Sequence, residues 1–341
     1  MRKFSMWLIV LVLLAVMGCG SQNGSQSGSS SVEGEKEFAG VELKAVSFVA
    51  TNHPLMVTVK DWIEVIEQAT DGKVKVQLIG GPEAIPEAEQ INALMNGVID
   101  VNFNVTANYK DQAPAAEAVT LSQLKPWEER ENGFYDKLVE VNEQVGIRYI
   151  GRWLSNELPS RLWINRKVST LDDLRGLRIR SHPLYNGIPE AFGMVPTVIT
   201  SGDVYTALQQ GIVDGFFFGT LIGPRQNGWT DTTKFIVDHP FFNQNGVILM
   251  RQDVWQKIPA EYQEKIIEAT AEYEHDMDAY FANASQEERV ELEKIGVQFL
   301  YFPEDQARMF VDKAYEIKWN ALSQSLSADE LEELRSLTQK Q

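Results

Sequence analysis

Short apolar segments alternate with amphipathic segments along most of the chain, and this alternation constrains the fold more than any other feature. Residues 41–50, 73–79 and 98–105 have the alternating apolar pattern of half-buried strands. Residues 51–54 are predicted to form a polar turn that opens a helix reaching about residue 70, and a second helix is predicted near 87–96. The order is strand, helix, strand, helix, strand, which predicts right-handed crossovers and a largely parallel sheet.

A comparable pattern restarts near residue 148. Strands are predicted at 148–153, 162–164, 177–181, 197–199, 214–218 and 245–250, and helices at 185–192 and 203–210. A long helix begins after Ile258 and Pro259 and continues past residue 282, and two tail helices follow at 305–323 and 328–337. About 300 residues divided in this way are enough for two α/β lobes, each with its own core, and a cleft between them.

The N-terminus has the pattern of a secretory signal. Arg2 and Lys3 precede an uncharged apolar run at 6–17, which is shorter than the roughly 20 residues of a membrane-spanning helix. The sequence Val-Met-Gly-Cys at 16–19 resembles a bacterial lipobox, so Cys19 is predicted to carry the lipid. An ordinary cleaved signal, with Cys19 incidental, is the alternative. Residues 20–31 are all Gly, Ser, Gln or Asn, which predicts a flexible tether.

The charge of the chain limits its partners. Removal of Arg2 and Lys3 with the signal takes the formal net charge from −17 to −19, and no polybasic stretch remains. Nucleic acid is therefore not an expected partner, because phosphate binding relies on clustered Lys and Arg. An anionic ligand would need a positive charge inside its own site.

Sequence signatures of catalysis are missing from the chain. None of the four histidines is in a His-Glu-x-x-His pattern, and Cys19 is the single cysteine, so no intramolecular disulfide is expected. The chain has no Gly-x-Ser-x-Gly elbow, phosphate loop or dinucleotide fingerprint. We therefore expect no catalytic residue, no metal and no cofactor. A cleft enzyme such as a hydrolase, acting through paired carboxylates, stays open as an alternative.

Four segments together resemble one family. They are Leu-Asp-Asp-Leu-Arg-Gly-Leu-Arg-Ile-Arg at 171–180, Val-Tyr-Thr-Ala-Leu-Gln-Gln-Gly-Ile-Val-Asp-Gly at 204–215, Gly-Val-Ile-Asp at 97–100 and Trp-Gln-Lys-Ile-Pro at 255–259. In this order and spacing they are similar to the solute-binding proteins of tripartite ATP-independent periplasmic (TRAP) transporters. The resemblance implies no catalysis, a small organic carboxylate ligand, membrane transporter subunits as partners and an extracytoplasmic location. A sensor subunit that presents its ligand to a receptor kinase is a second interpretation.

The resemblance also implies an architecture, in which two lobes of a periplasmic-binding-protein (clamshell) fold close on the ligand and a long helix spans both. On this basis residues 1–18 are the signal peptide, and 19–40 are the lipidated cysteine and tether. Residues 41–158 and 244–283 are predicted to form one lobe, and 159–243 and 284–341 the other.

Arg180 is the principal predicted ligand contact. It alternates with Leu177 and Ile179 along one strand and stands at the carboxyl end of that strand, where open α/β sheets bind ligands. Its planar fork matches a carboxylate, and its position matches the carboxylate-binding arginine of the family. Arg161 is a second candidate, because its spacing to Asn165 is similar to a pattern in the family, although the stretch from Trp153 to Arg161 is longer here.

Four further residues are predicted to line the cleft. Phe218 stands where many family members have a ligand-binding asparagine, which implies a ligand with more apolar or aromatic surface. Asn52 and Thr106 follow the first and third strands and can hydrogen-bond a ligand, or serve as caps and turn residues. Trp153 is predicted to stack on the ligand or to pack in the core.

Overall fold

The structure is a computed structural model, and it describes residues 38–244 and 246–340. The predicted signal peptide, Cys19 and the greater part of the predicted tether lie outside these residues. Eleven strands are present within the described part of the chain. They are β1 (Val41–Ser47), β2 (Val74–Gly80), β3 (Val101–Val105), β4 (Ile147–Arg152), β5 (Pro159–Ile164), β6 (Arg178–Ser181), β7 (Val195–Val198), β8 (Gly215–Phe218), β9 (Phe235–Asn243), β10 (Gly246–Arg251) and β11 (Gln298–Leu300).

The described part of the chain also contains ten α-helices. They are α1 (Met56–Ala69), α2 (Gln90–Met95), α3 (Pro126–Glu131), α4 (Phe134–Glu143), α5 (Ile188–Ala191), α6 (Val204–Gln209), α7 (Gln252–Trp255), α8 (Ala260–Lys294), α9 (Glu304–Leu322) and α10 (Ala328–Thr338). Short 3-10 helices connect them at Glu87–Glu89, Thr106–Asn108, Pro114–Leu121, Leu171–Leu174, Pro183–Tyr185, Ser201–Asp203 and Trp229–Asp231. None of the described helices combines the length and apolar composition that a bilayer crossing requires.

The first sheet has the strand order β2-β1-β3-β10-β4. Strands β1, β2 and β3 are parallel, as predicted, but β10 is antiparallel to both β3 and β4. The expectation of a largely parallel sheet is therefore wrong at this strand. The chain enters β10 from the other sheet at Gly246, which pairs with Val105 at the carboxyl end of β3, so β10 runs in the opposite direction.

The second sheet has the strand order β11-β9-β5-β8-β6-β7. Strands β6, β7 and β8 are parallel, whereas β5 is antiparallel to β8 and β9. Strand β5 runs antiparallel because the chain enters it from the first sheet. Arg161, near the start of β5, therefore pairs with Phe218 at the end of β8. The two sheets, with the helices around them, form the first and second lobes of a mixed α/β fold, which confirms the predicted fold class.

Helix α8 spans both lobes. It has 35 residues, which corresponds to about 52 Å at 1.5 Å per residue. Its Tyr273, Met277 and Phe281 pack in the apolar core beside the first sheet, and Leu292 packs with Trp163 in the core beside the second. The long helix predicted from the sequence thus contacts the cores of both lobes.

Charged side chains fix α8 at both of these contacts. Glu274 accepts a hydrogen bond from the backbone N–H of Arg152 at 2.8 Å and another from Nε of Arg130 at 2.8 Å. Further along the helix, Glu288 accepts two bonds from the Arg225 guanidinium, both at 2.8 Å. Because Arg152 belongs to β4 and Arg225 follows β8, the helix is anchored to each lobe separately.

Candidate functional site

A cavity of about 40 Å³ lies between the ends of strands from the two sheets. The first lobe lines it with Phe48, Glu87, Val105, Thr106, Ala107 and Thr120. The second lobe lines it with Arg180, His182, Leu184, Tyr185, Ser201 and Phe218, and Asn243 and Gln244 lie where the chain passes between the lobes. The cavity exceeds the 10–15 Å³ that one water requires, so it has room for a few waters or a compact ligand group.

Arg180 enters this cavity from β6. Strand alternation places Ile179 in the core, and the side chains on either side of it differ sharply in environment. Arg178 is exposed and forms an ion pair with Asp214 at 2.8 Å. Arg180, one step closer to the carboxyl end of the strand, is only 4% exposed. The structure therefore places the principal predicted ligand contact in the wall of the cavity.

The charge of Arg180 has no carboxylate partner among the described residues. Its Nε donates to the carbonyl of Ile199 at 2.9 Å, and Nη2 donates to Oγ of Ser201 at 3.3 Å. Burial lowers the pKa of Arg180, and the Tyr185 hydroxyl and the Glu87 carboxylate act in the opposite direction. An arginine stays protonated in proteins, so the cavity contains a buried cation with donors left over. A buried charge is costly until an opposite charge pairs with it.

Two more predicted residues line the same cavity. Thr106 follows β3 and is buried, with its Oγ1 3.4 Å from Oγ1 of Thr120. Phe218 ends β8 and packs edge-on against Trp229 at a centroid distance of 5.2 Å, leaving part of its ring on the cavity. The cavity lining therefore combines the buried guanidinium of Arg180 with a hydroxyl group and aromatic surface.

The other three predicted contacts lie outside the lining. Asn52 is exposed in the turn before α1. Trp153 is fully buried, and its Nε1 donates to the carbonyl of Asn104 at 3.1 Å. Its ring packs edge-on against Phe48 and Phe103 in the core of the first lobe. Of the two roles predicted for Trp153, the structure places it in core packing.

Arg161 is held by an ion-pair network instead of facing the cavity. Its Nε donates to Oδ1 of Asp238 at 2.7 Å, and its Nη1 donates to the carbonyl of Pro159 at 3.3 Å. Asp238 also accepts bonds from Arg289 at 3.0 Å and from the Tyr301 hydroxyl at 2.7 Å. The network joins β5, β9 and α8, so its geometry supports a structural role for Arg161.

Sequence reasoning missed Glu87 in the cavity wall. The residue lies in the 3-10 turn before α2, and its Oε1 accepts a bond from Nδ2 of Asn108 at 3.1 Å and lies 3.3 Å from Nε2 of His182. Burial acts to raise the pKa of Glu87, but the hydrogen bonds from His182 and Asn108 and the charge of Arg180 prevail and lower it. Glu87 is therefore an ionised carboxylate in the same cavity wall as Arg180.

A chain of amides, from the half-buried Asn108 to three buried side chains, supports this carboxylate. Asn108 donates to Oδ1 of Asn104 at 2.8 Å, Asn104 donates to Oδ1 of Asn102 at 2.6 Å, and Asn102 donates to Oε1 of Gln90 at 3.1 Å. The sequence signal was the pattern Val-Asn-Phe-Asn-Val, in which two asparagines interrupt an apolar strand. Buried amides need hydrogen-bond partners, and here the hydrogen-bonded chain ends at Glu87 in the cavity wall.

The described residues include no group of three or more His, Cys, Asp or Glu side chains arranged to hold a metal ion. The two lobes share a small cavity, whose wall contains an arginine that has no carboxylate partner within the described part of the chain. This arrangement defines a two-lobed binding protein.

The family of the chain follows from its sequence. Residues 45–323 match the profile of bacterial extracellular solute-binding protein, family 7, and the chain belongs to this family. The predicted membership of the TRAP solute-binding proteins is confirmed. The family consists of extracytoplasmic transport proteins and not of enzymes.

Solved structures have the same fold. The chain is similar to a TRAP periplasmic solute-binding protein from Desulfovibrio salexigens with bound orotic acid, with 19% identity, a TM-score of 0.77 and coverage of 87% of this chain and 97% of that one. It is also similar to a Bordetella pertussis extracytoplasmic solute receptor binding pyroglutamic acid, with 14% identity, a TM-score of 0.75 and coverage of 88% and 100%. At these identities the similarity shows the fold alone.

Two curated relatives are matched over part of their length. An uncharacterized protein of Sinorhizobium fredii is 27% identical over 184 residues, covering 52% of this chain and 34% of that protein. The monocarboxylate 2-oxoacid-binding periplasmic protein of Nostoc sp. is 22% identical over 226 residues, covering 61% of this chain and 59% of that protein. The chain thus spans about a third and three fifths, respectively, of these two relatives.

Proposed function

We propose that the protein captures a small organic carboxylate in the interlobe cavity, through a salt bridge to Arg180, and delivers it to the membrane subunits of a TRAP transporter. The observation that carries the proposal is the buried guanidinium of Arg180, which has no carboxylate partner among the described residues. Orotic acid, pyroglutamic acid and a 2-oxoacid, named for three similar proteins, are all compact carboxylates.

The salt bridge supplies both affinity and orientation. Ile199 and Ser201 occupy one side of the guanidinium, which fixes its plane and leaves the remaining Nη donors for the ligand. A carboxylate accepts two parallel bonds from such a fork, each contributing about 1.5–3 kcal/mol. The guanidinium of Arg180 is already removed from water in the folded protein. Ligand binding therefore requires little further desolvation of this group.

Ligand binding is proposed to shift the lobes toward a closed form. The proposed lobes comprise residues 41–158 with 244–283, and 159–243 with the rest of the chain to 341. Arg180 and Phe218 belong to one lobe and Thr106 to the other, so a ligand that touches all three favours the closed arrangement. The closed form then presents the surface that the transporter subunits recognise.

The aromatic wall sets the shape of the ligand. Phe218, Phe48 and Tyr185 line the cavity together, and such rings favour ligands with a flat or apolar body over highly hydrated ones. The proposed ligand therefore combines one carboxylate with a compact ring or a short apolar chain.

The protein is further proposed to be secreted and held at the membrane by a lipid on Cys19, with residues 20–40 as the tether. The support is the signal-like N-terminus and the lipobox-like sequence at 16–19. Fractionation of cells that express Cys19→Ser tests this step. The variant is expected in the soluble extracytoplasmic fraction, and retention in the membrane to the wild-type extent would refute the anchor.

The central test is calorimetry of the purified full-length protein against a panel of organic acids that includes pyroglutamate, orotate and 2-oxoacids. Arg180→Met removes two bonds of at least about 1.5 kcal/mol each, so affinity is expected to fall by roughly 100-fold or more. Arg175→Met, at a position 72% exposed and outside the cavity, is the matched control and is expected to bind as the wild type does. Undiminished affinity in Arg180→Met would refute the assignment.

A further inference from the structure

The cavity contains a second charge in addition to Arg180. The side chain of Glu87 is 29% exposed, and the hydrogen bonds to its carboxylate from the described residues both involve Oε1. Its Oε2 has no hydrogen-bond partner among the described residues and belongs to a residue in the cavity lining. Oε1 of the carboxylate is thus hydrogen-bonded within the protein, and Oε2 can accept a hydrogen bond from a ligand.

The position of this carboxylate is fixed from both lobes. Asn108, supported by the amide chain behind it, holds Oε1 from the first lobe. His182, two residues after Arg180, approaches the same oxygen from the second lobe. Glu87 therefore cannot turn away from an incoming ligand without losing partners on both sides.

A ligand held by Arg180 meets the acceptor Glu87 in the same small space. We infer that Glu87 is a specificity-determining residue: it favours a monocarboxylate that carries an N–H or O–H donor and disfavours a dicarboxylate. This inference rests on the proposed function of the cavity. A ligand N–H or O–H donates a hydrogen bond to Oε2, whereas a second ligand carboxylate brings two negative charges close together in the same small cavity.

Isothermal titration calorimetry of the full-length protein tests the inference with two five-carbon probes. Pyroglutamate has one carboxylate and a lactam N–H, and glutarate has two carboxylates and no donor. The wild type is expected to bind pyroglutamate at least roughly tenfold more tightly than glutarate, since like charges and an unmet acceptor both oppose glutarate. Tighter binding of glutarate would overturn the inference.

Substitutions at position 87 test the residue itself. Glu87→Gln keeps acceptors for Asn108 and His182 but removes the charge and adds a donor, so the preference for pyroglutamate is expected to shrink by roughly tenfold. Glu87→Asp keeps the charge and is expected to keep rejecting glutarate. Glu89→Gln, an exposed carboxylate on the same turn, is the matched control and should leave the ratio unchanged.

These outcomes separate the inference from the proposed function. If Arg180→Met abolishes acid binding while Glu87→Gln leaves the ratio as in the wild type, the inference is overturned and the carboxylate site stands. If the wild type binds neither probe nor any other acid of the panel, both are overturned. Circular dichroism and thermal midpoints establish that each variant is folded at the temperature of titration.

Discussion

Replacing Asp238 with asparagine tests whether the network around Arg161 holds the fold together. Asp238 is 9% exposed and accepts bonds from Arg161, Arg289 and Tyr301 at 2.7, 3.0 and 2.7 Å. Asp238→Asn leaves Arg161, which is 13% exposed, without its one carboxylate partner among the described residues, and leaves Arg289 with Glu293 at 3.5 Å. Breaking a buried ion pair in this way costs about 3–5 kcal/mol, so the free energy of unfolding is expected to fall by that amount at pH 7.

The pH dependence of this loss gives an independent check. Burial acts to raise the pKa of Asp238, but the hydrogen bonds from Arg161, Tyr301 and Arg289 prevail and lower it below the ordinary value of 3.8. The unfolded chain therefore takes up the proton first as pH falls, and the stabilisation is complete above pH 3.8 and lost as pH falls through the folded-state pKa. The difference between wild type and Asp238→Asn should be constant near neutral pH and shrink in acid.

Urea denaturation of the full-length protein, followed by circular dichroism, measures both effects. Asp253→Asn is the matched control, because Asp253 is 53% exposed and also pairs with two cations, Arg251 at 2.8 Å and Lys257 at 3.1 Å. Exposed pairs contribute about 0–1 kcal/mol, so the control should lose little. Equal losses in the two variants at pH 7, or an Asp238→Asn deficit below about 1 kcal/mol, would refute the reasoning.

Two further variants separate structural from ligand-binding roles. Arg161→Met removes one of three partners of Asp238 and is expected to cost about 1–3 kcal/mol in urea denaturation while leaving acid affinity within about twofold in calorimetry. A tenfold loss of affinity at unchanged stability would show that Arg161 binds the ligand and would refute its structural role. Trp153→Phe loses the bond to the Asn104 carbonyl and some core packing, at an expected cost of about 1–3 kcal/mol. Weakened binding of a fully stable Trp153→Phe protein would contradict its assignment to the core.

Local pattern was sufficient to predict the fold class and two of its main features. The alternation of Ile179 with Arg178 and Arg180 depends only on the period of a strand, and the position of Arg180 follows from its place at the end of β6. The long helix α8 was predictable for a similar reason, since a 3.6-residue apolar period repeats over many turns.

Elements that depend on distant partners were not predictable. Strand β9 contains Asp238, His239 and Pro240, which interrupt its apolar alternation, so no strand was predicted at 235–243. The strand is stabilised by its backbone hydrogen bonds to β5 and β11, which the local sequence does not reveal. Helices α3 and α4 were missed as well, and both are short segments whose burial comes from packing against other elements.

The arginines and Glu87 illustrate the same limit at the site. Arg161 lies near the start of β5 and Arg180 near the end of β6. What removes Arg161 from the cavity is its ion pair with Asp238, 77 residues away in the sequence. Glu87 lies in a turn with no periodic pattern, and its neighbours His182 and Asn108 come from separate elements. Such contacts between residues far apart in the sequence are set by the tertiary structure, and the spacing of residues along the chain does not predict them.

The position of β10 has a consequence for how the molecule is made. It lies between β3 and β4 in the first sheet, yet the chain reaches Gly246 only after the strands β5 to β9 of the second sheet. While the polypeptide leaves the ribosome, β3 and β4 lack the strand that joins them until those later segments have been synthesised. The first sheet therefore cannot be completed until strands β5 to β9 of the second have been synthesised, and a fragment ending at residue 158 should stay incompletely folded and prone to aggregate.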